Sequence, residues 1–154
     1  MNLKSASGNY NFKKDLKIGK KGEDYIIDFL ESKGFKFINR NNDKTFDILM
    51  EWRGKKIKYE IKTDVFPKDT GNMVIEFESR GKESGISVTK SHYYIYYYAH
   101  YDEIWLIRTK DLKKLIKGNN LKWVNGGDFR SNTKMWIIQK EKFRNWFKVY
   151  NFAK

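Results

Sequence analysis

The chain contains no cysteine, one proline and two histidines among its 154 residues. Without cysteine it has neither disulfides nor thiolate zinc ligands, and this composition fits a cytosolic protein. His92 and His100 lie in different sequence contexts, so a histidine zinc site or a serine–histidine–aspartate triad has little support. The glycine-rich phosphate loops of nucleotide-binding proteins are also missing. Several common catalytic chemistries are therefore disfavoured.

Long apolar runs and linker-like segments are absent as well. No run approaches the roughly 20 apolar residues of a membrane-spanning helix, and no apolar signal-peptide core follows the basic N-terminus. We therefore expect a cytoplasmic protein without a membrane partner. The length suits one domain with a hydrophobic core. We predict a flexible basic arm at residues 1–12 and a single domain at 13–154.

Positive charge is the most informative feature of the composition. The chain has 32 lysines and arginines against 19 acidic residues, which gives a formal net charge of +13. A small basic domain usually has a polyanionic partner, and nucleic acid is the commonest one. Codon bias in an AT-rich gene, which enriches Lys, Asn, Ile, Tyr and Phe together, is the alternative explanation. We favour nucleic acid.

The segment 46–62 predicts a β-hairpin that carries acidic residues on one face. Apolar and aromatic residues occupy alternate positions on both sides of the Arg-Gly pair at 53–54, a pattern typical of two strands joined by a tight turn. A two-residue turn places Asp47 opposite Glu60, and such a pair is destabilising by up to about 1 kcal/mol. A divalent cation reverses the sign of that interaction. With Lys62 on the same face, the hairpin predicts a metal site.

Apolar spacing predicts a helix at about 13–33, ended by Gly34. Glu23 lies in the middle of its apolar stripe, which is uncommon unless a cationic group meets the carboxylate. A partly exposed glutamate at the edge of the stripe is the other interpretation. Gly19 and Gly22 would let another part of the backbone approach this helix closely.

The remaining patterns predict a mixed α+β or α/β domain. Strands are expected at 35–39, 73–78, 93–99, 104–107 and 135–139, and helices at 111–117 and 140–148. The strand at 73–78 would be a third limb after the hairpin. The tyrosine-rich strand at 93–99 is interpreted as a central strand buried on both faces, in preference to a stacking platform for bases.

The acidic residues and the lysine resemble the motif of the PD-(D/E)xK nuclease superfamily. Asp47 would be the aspartate of the motif, Glu60 its second acid and Lys62 its lysine. Glu23 would match the glutamate that many members carry on the first helix. Phe46 stands where the motif's name has a proline, which members of the superfamily frequently lack.

The resemblance extends over about residues 13–108, and residues 85–98 also resemble small phage-type members. It implies a restriction-endonuclease-like core, in which a helix is followed by a β-meander and a mixed central sheet is flanked by helices. The domain at 13–154 would then be a single nuclease domain, placed in the host cytoplasm if it is phage-encoded.

The activity that the resemblance implies is Mg²⁺-dependent hydrolysis of DNA phosphodiester bonds, with Mn²⁺ able to substitute. Asp47, Glu60 and the Ile61 carbonyl would be ligands, because Mg²⁺ prefers oxygen donors. Lys62 would orient the attacking water or neutralise the phosphate. Glu23 would bind a second metal ion or hold a water on the metal. Holliday-junction resolvases of this size act as homodimers, so branched DNA and a second copy are the expected partners.

Basic and hydroxyl residues outside the hairpin are candidates for contacts with the nucleic acid backbone. They are Lys17, Lys20, Lys21, Arg80, Lys82, Ser87, Thr89 and Lys90. For the lysines, a solvated helix face is the other interpretation. Glu76 or Glu78 would lie at the rim of the site. A non-catalytic nucleic-acid-binding protein on the same scaffold, a restriction or repair nuclease, and RNA cleavage remain as alternative functions.

Overall fold

The computed structural model of the protein describes residues 8–41, 43–126 and 132–152, with side chains from residue 19 onward. Its helices are α1 (Gly8–Ser32) and α2 (Thr109–Gly118). Its strands are β1 (Lys36–Arg40), β2 (Ile48–Trp52), β3 (Lys55–Asp64), β4 (Asn72–Ser79), β5 (Lys82–Glu83), β6 (Tyr93–Tyr98), β7 (Glu103–Arg108), β8 (Trp123–Gly126), β9 (Thr133–Gln139) and β10 (Lys148–Asn151). This content confirms the mixed α+β class.

Helix α1 begins at Gly8, about five residues before the predicted start. The polar residues before 13 contain no proline, so nothing in the local sequence stops the helix there. Residues 8–12 of the predicted arm therefore belong to α1, and residues 1–7 lie outside the described residues. The helix ends before Gly34, whose φ of 100° is the left-handed conformation that glycine favours. In the described ranges, no helix has the length and apolar character needed to cross a membrane.

The large sheet has six strands in the order β1-β2-β3-β6-β7-β10. Strands β1, β2 and β3 form an antiparallel meander directly after α1. Strand β6 then pairs with β3 in parallel, and the other pairs are antiparallel. The predicted central strand is confirmed, because Tyr94–Tyr98 are each at most 9% exposed.

The small sheet has four strands in the order β5-β4-β9-β8. The strand predicted at 73–78 is confirmed as β4, but the expectation that it forms a third limb after the hairpin is wrong. The free edge of β3 is taken by β6 instead, whose apolar residues are buried on both faces. The connection after β3 lets the chain leave the large sheet, and β4 pairs with β9.

Each face of the large sheet has its own hydrophobic core. Helix α1 covers one face, where Ile26 and Leu30 pack with Met50, Ile61 and Ile95. The small sheet and α2 cover the other face. There Met73, Ile75 and Ile138 from the small sheet pack with alternate tyrosines of β6 and with leucines of α2. The large sheet is therefore the middle layer of the fold.

The predicted helix at 140–148 is wrong. The chain instead makes a turn, a short 3₁₀ segment at Arg144–Trp146 and the edge strand β10, which pairs with β7. The spacing of Phe143, Trp146 and Phe147 resembles helical spacing, but pairing with an open sheet edge prevails over this local preference.

Lys140 is only 2% exposed, and its Nζ lies 3.9 Å from the centroid of the Tyr98 ring.

Of Gly19 and Gly22 on α1, Gly22 is the one that lies against β3. A Cβ at Gly22 would overlap the Thr63 side chain, whereas a Cβ at Gly19 would have no neighbour within 4 Å. A close approach therefore exists at Gly22 and not at Gly19, but the Thr63 side chain makes it, not the backbone that was predicted. Because Thr63 follows the lysine of the hairpin, this contact places α1 beside the predicted site.

We expect Gly22→Ala to lower the free energy of unfolding by about 1–3 kcal/mol, because the added methyl group overpacks the contact with Thr63. The matched variant Gly19→Ala removes a helix glycine without a clash and should raise stability by up to about 1 kcal/mol. Urea unfolding of both variants measures the difference. Equal stability of the two variants would show that α1 does not pack on β3 at this point.

Candidate functional site

The turn between β2 and β3 sets the register of the hairpin. Arg53 and Gly54 have φ values of 51° and 82°, and two consecutive positive φ angles are typical of the tight two-residue turn of a β-hairpin. Trp52 pairs with Lys55, and the register continues without a shift through the β2–β3 ladder. The predicted two-residue turn is therefore confirmed.

Asp47 lies one residue before β2, where the β2–β3 ladder ends. Its backbone N–H donates to the Tyr59 carbonyl at 2.9 Å, and its Oδ2 accepts from the Ile61 N–H at 2.7 Å. The carboxylate thus replaces the backbone acceptor that β2 no longer provides. Burial raises the pKa of Asp47, although the Ile61 hydrogen bond and the charge of Lys62 act in the opposite direction.

Glu60 is the second acid of the hairpin and is 8% exposed. Burial, followed by the charge of Asp47, raises the pKa of Glu60 to about 7, and the charge of Lys62 opposes this shift. The Lys62 Nζ lies 3.4 Å from Glu60 Oε2. The structure therefore brings together the buried carboxylate of Glu60, the half-buried carboxylate of Asp47, which repels it, and one ammonium group.

The Ile61 carbonyl faces the same side of β3 as Asp47. The Tyr59 carbonyl and the Ile61 N–H both bond to Asp47, whereas the Lys58 carbonyl accepts from His92, next to β6. Along a strand, successive residues direct their backbone groups in turn towards the two neighbouring strands. The N–H and the C=O of one residue point towards the same neighbouring strand. A third oxygen donor therefore lies on the side of β3 that faces Asp47.

Glu23 lies on α1 with a side chain that is 24% exposed, and its Oε1 accepts from Arg40 at 2.9 Å. Arg40 also binds Asp24. Burial and then the charge of Asp47 raise the pKa of Glu23, while Arg40 lowers it. Glu23 is thus electrostatically linked to Asp47, but it is ion-paired and does not line the cavity described below.

The Arg40 contact was not predicted, because the strand expected from the sequence ends at residue 39. In the structure Arg40 is the last residue of β1 and pairs with Ile48, whose side chain packs beneath α1. A register shift between Phe37 and Asn39 changes the alternation within β1. Simple period-2 spacing therefore could not place Arg40 on the helix side.

A cavity of about 830 Å³ opens beside the two acids, between the two sheets. The acids that line it are Asp43, Asp47, Glu60, Glu76 and Glu83, and the bases are Lys44, Lys62, Arg80 and Lys82. Of the two glutamates expected at the rim, Glu76 lines the cavity, whereas Glu78 is ion-paired with Lys134 at 3.0 Å. The cavity thus has an acidic centre with cationic residues around it.

Gly85 helps to shape this cavity. Its φ is 53°, and a Cβ at this position would overlap the Glu76 carbonyl. A glycine therefore allows the 3₁₀ segment at Gly85–Ser87 to lie directly against β4.

The predicted nucleic-acid contacts fall into three groups. Arg80 and Lys82 line the cavity, and Lys44, which the sequence analysis did not select, lines it with them. The hydroxyls of Ser87 and Thr89 donate to the carbonyls of Phe77 and Thr45, so both have structural partners. Lys20, Lys21 and Lys90 are exposed and do not line the cavity, and the Lys17 side chain lies outside the described residues.

The donor set of the site consists of oxygen atoms, namely two carboxylates and one carbonyl. Among the described residues, no three His, Cys, Asp or Glu side chains form a group ready to hold a metal ion. The set fits a hard cation that takes few protein ligands and retains waters, as Mg²⁺ does. A divalent charge would also offset the repulsion between Asp47 and Glu60.

Comparison of the chain with protein-family models, with curated proteins and with solved structures found no match. The function is therefore inferred from the chemistry of the site.

The raised pKa of Glu60 predicts how stability depends on pH in the absence of divalent cations. The folded protein holds this proton up to about pH 7, whereas the unfolded chain releases it near 4.5. The contribution of Glu60 to the free energy of unfolding is therefore fully present below about pH 4.5. It is lost as the pH rises through 7, and the loss is roughly 3 kcal/mol at most. Glu60→Gln should remove this loss and melt at a higher temperature than wild type at pH 8.

Thermal unfolding between pH 4.5 and 8 in a chelating buffer measures this effect. Glu83→Gln changes an exposed glutamate on the same cavity and is the matched control. If the pH profile of Glu60→Gln runs parallel to that of wild type, Glu60 does not carry the expected proton.

Proposed function

We propose that the protein is a metal-dependent DNA endonuclease that hydrolyses phosphodiester bonds. The observation that carries the proposal is the pair of carboxylates formed by half-buried Asp47 and buried Glu60, with the Lys62 ammonium 3.4 Å from Glu60, beside a cavity of about 830 Å³. A stable hairpin has no need of two acids that repel each other and are shielded from solvent, whereas a bound cation would be stabilised by them. The net charge of +13 fits a polyanionic substrate.

The order of elements supports a restriction-endonuclease-like core. Helix α1 is followed by the β1–β2–β3 meander, and the acids lie just before β2 and on β3. Glu23 approaches Asp47 from α1. This is the arrangement that the resemblance to the PD-(D/E)xK superfamily implies, and Phe46 is the visible departure from the motif.

Asp47, Glu60 and the Ile61 carbonyl would hold Mg²⁺ or Mn²⁺, and Glu23 would have to leave Arg40 to take part. When bound, the cation lowers the pKa of water and polarises a phosphoryl oxygen. The protein keeps Asp47 in position through the Ile61 N–H. Because its other oxygen, Oδ1, accepts no hydrogen bond from the described residues, it remains available to a ligand.

Lys62 would act on the phosphate or on the attacking water. Its side chain is partly exposed while Glu60 is buried, so the ammonium can turn from Glu60 towards a substrate in the cavity. A cation at this point stabilises the negative charge that develops on the phosphate in the transition state. Arg80 and Lys82 on the cavity wall would bind neighbouring phosphates.

Branched DNA is the substrate that we infer, with a homodimer as the active form. The described fold adds no separate recognition domain to the two sheets and two helices. Selection by DNA shape therefore suits this chain better than the reading of a long sequence, and two copies would cut symmetric strands.

A non-catalytic nucleic-acid-binding protein is the second candidate. The observation that favours it is the contact between Lys62 and Glu60, together with the ion pair between Glu23 and Arg40. In that case the lysine would neutralise the buried acid without any metal, and the basic surface would bind nucleic acid without cleaving it.

Cleavage by single-site variants separates the two functions. In Mg²⁺, Glu60→Gln and Lys62→Ala should each cleave at least roughly 10²-fold more slowly than wild type, because the first removes a charged ligand of the cation and the second removes the ammonium group at the phosphate. Both should keep their affinity for DNA in a shift assay without divalent cations. The panel consists of labelled junction, flap and linear DNA, with single-stranded RNA added, and Glu83→Gln is the control.

Wild-type protein that leaves every DNA of the panel intact with Mg²⁺ and with Mn²⁺ would overturn the endonuclease proposal. Binding without cleavage would then support the second candidate. Cleavage of RNA but of no DNA would replace DNA by RNA as the proposed substrate, and the proposed catalytic site would stand.

Cation binding can also be measured without activity. At pH 8, Mg²⁺ at about ten times its Kd should stabilise wild type by about 1.4 kcal/mol. Asp47→Asn and Glu60→Gln should lose this stabilisation. Lys62→Ala should keep or increase it, because it removes a competing cation from Glu60. An equal melting shift in wild type and Glu60→Gln would mean that Mg²⁺ binds elsewhere.

A further inference from the structure

A second cavity, of about 620 Å³, lies at the first residues of β3, before Glu60 along the strand. Its lining contains no acidic residue. The basic residues that line it are Lys55, Lys56, His92, Arg108, Lys110 and Lys113. We refer to it as the basic cavity. It contrasts with the cavity beside Asp47 and Glu60, which we call the site cavity and whose lining contains five acids.

The floor of the basic cavity is built by three elements that are fixed to one another. The first residues of β3, the segment before β6 and the first turn of α2 meet there. The buried hydroxyls of Ser91 and Thr109 are hydrogen-bonded at 3.0 Å, and the Thr109 N–H donates to the His92 carbonyl at 2.9 Å. The positions of the basic residues are therefore set by the core of the fold.

Most of the positive charge in this cavity is uncompensated. Lys55, Lys56, Lys110 and Lys113 are exposed, and none of them forms an ion pair with an acid among the described residues. Arg108 differs, because it is paired with a carboxylate of α2 at 2.9 Å. Four like charges around one concavity repel one another, and a polyanion relieves that repulsion.

The nearest acidic groups do not change this balance. Asp111 is the partner of Arg108. Glu51 pairs with Lys56 across the β2–β3 ladder, but no ion pair forms between their side chains. The lysine charges therefore remain available to a ligand.

His92 adds a hydrogen-bond donor. Its Nδ1 accepts from the Lys58 N–H at 2.9 Å, so the neutral imidazole carries its proton on Nε2. The polar side chains of the basic cavity thus provide several donors and cations, which are the groups that bind phosphate oxygens.

We propose that the basic cavity binds the sugar–phosphate backbone of a nucleic acid at a distance from the cleavage site. Lys56 and Glu60 lie on the same face of β3 because they are four residues apart. This spacing corresponds to about 13 Å along the strand, or about four nucleotides at 3.4 Å each. One bound strand can therefore reach both cavities. The identity of the polyanion rests on the proposed function.

Contacts of this kind fix the position of a nucleic acid without reading its sequence. The basic cavity would hold the substrate a few nucleotides from the bond that is cleaved. Its loss should therefore weaken binding of every sequence to a similar degree, while the chemistry at Glu60 and Lys62 continues.

Two matched sets of substitutions test the proposal. The first changes Lys55, Lys56, Lys110 and Lys113 together to Gln. The second changes Lys36, Lys68, Lys117 and Lys122 to Gln, which are exposed and line neither cavity. Both sets remove the same net charge. Affinity for a short fluorescein-labelled duplex is measured by anisotropy in a chelating buffer at several salt concentrations, with thermal melting as the check on folding.

We expect the first set to weaken binding by roughly tenfold or more, and to reduce the slope of log affinity against log salt by up to about 3.6. The second set should change affinity by less than about threefold. Equal losses for both sets would show a general effect of charge and overturn the proposal. Wild-type binding to phosphatidylserine vesicles that only the first set abolishes, with duplex binding unchanged, would assign the cavity to a membrane and also overturn it.

Cleavage separates this inference from the proposed function. If the protein cleaves DNA, the first set should raise KM and leave kcat nearly unchanged. An unchanged KM in the first set would refute the binding role of the basic cavity and would not affect the endonuclease proposal. Loss of duplex binding in the first set, in a protein that cleaves nothing, would support the basic cavity and refute the nuclease.

Discussion

The hydrogen bond from the Ile61 N–H to the Asp47 carboxylate is the interaction on which the candidate site depends. It fixes an acid at the open end of β2, next to a second buried acid, Glu60, that repels it. Strand β3 cannot relieve this repulsion by sliding, because it is paired with β2 on one side and with β6 on the other. Burial of Glu60, followed by the charge of Asp47, raises the pKa of Glu60 to about 7. The fold thus maintains an unfavourable charge arrangement that a cation would relieve.

The rest of the structure organises charge around this pair. Helix α1 approaches β3 through Gly22 and brings Glu23 near Asp47, where Arg40 holds it. The small sheet closes the site cavity from the other face of the large sheet and adds Glu76. At the first residues of β3 the basic cavity is lined by lysines and by no acid. Strand β3 therefore separates a cavity with an acidic centre from one with a basic lining, and we propose that the two bind a cation and a phosphate backbone.

The predictions that succeeded rest on short-range patterns. Alternating apolar residues and an Arg-Gly pair defined the hairpin and its register, because side-chain alternation and turn geometry are local properties. The predictions that failed depended on partners distant in sequence. The segment at 140–148 has helical spacing, but an open edge of β7 converts its end into β10. Strand β4 follows β3 in sequence, yet β6 takes the edge of β3 and β4 joins another sheet.

The sequence by itself determined the acids, the lysine and their common position on one hairpin, because a strand repeats every two residues and a two-residue turn allows one register. Only the tertiary structure decided what surrounds them. Residues from separate elements form the Arg40–Glu23 ion pair and the basic cavity, and they also place Glu76 in the lining of the site cavity. Their positions follow from which strands pair and which faces are buried, and those choices minimise the free energy of the whole chain rather than of any single segment.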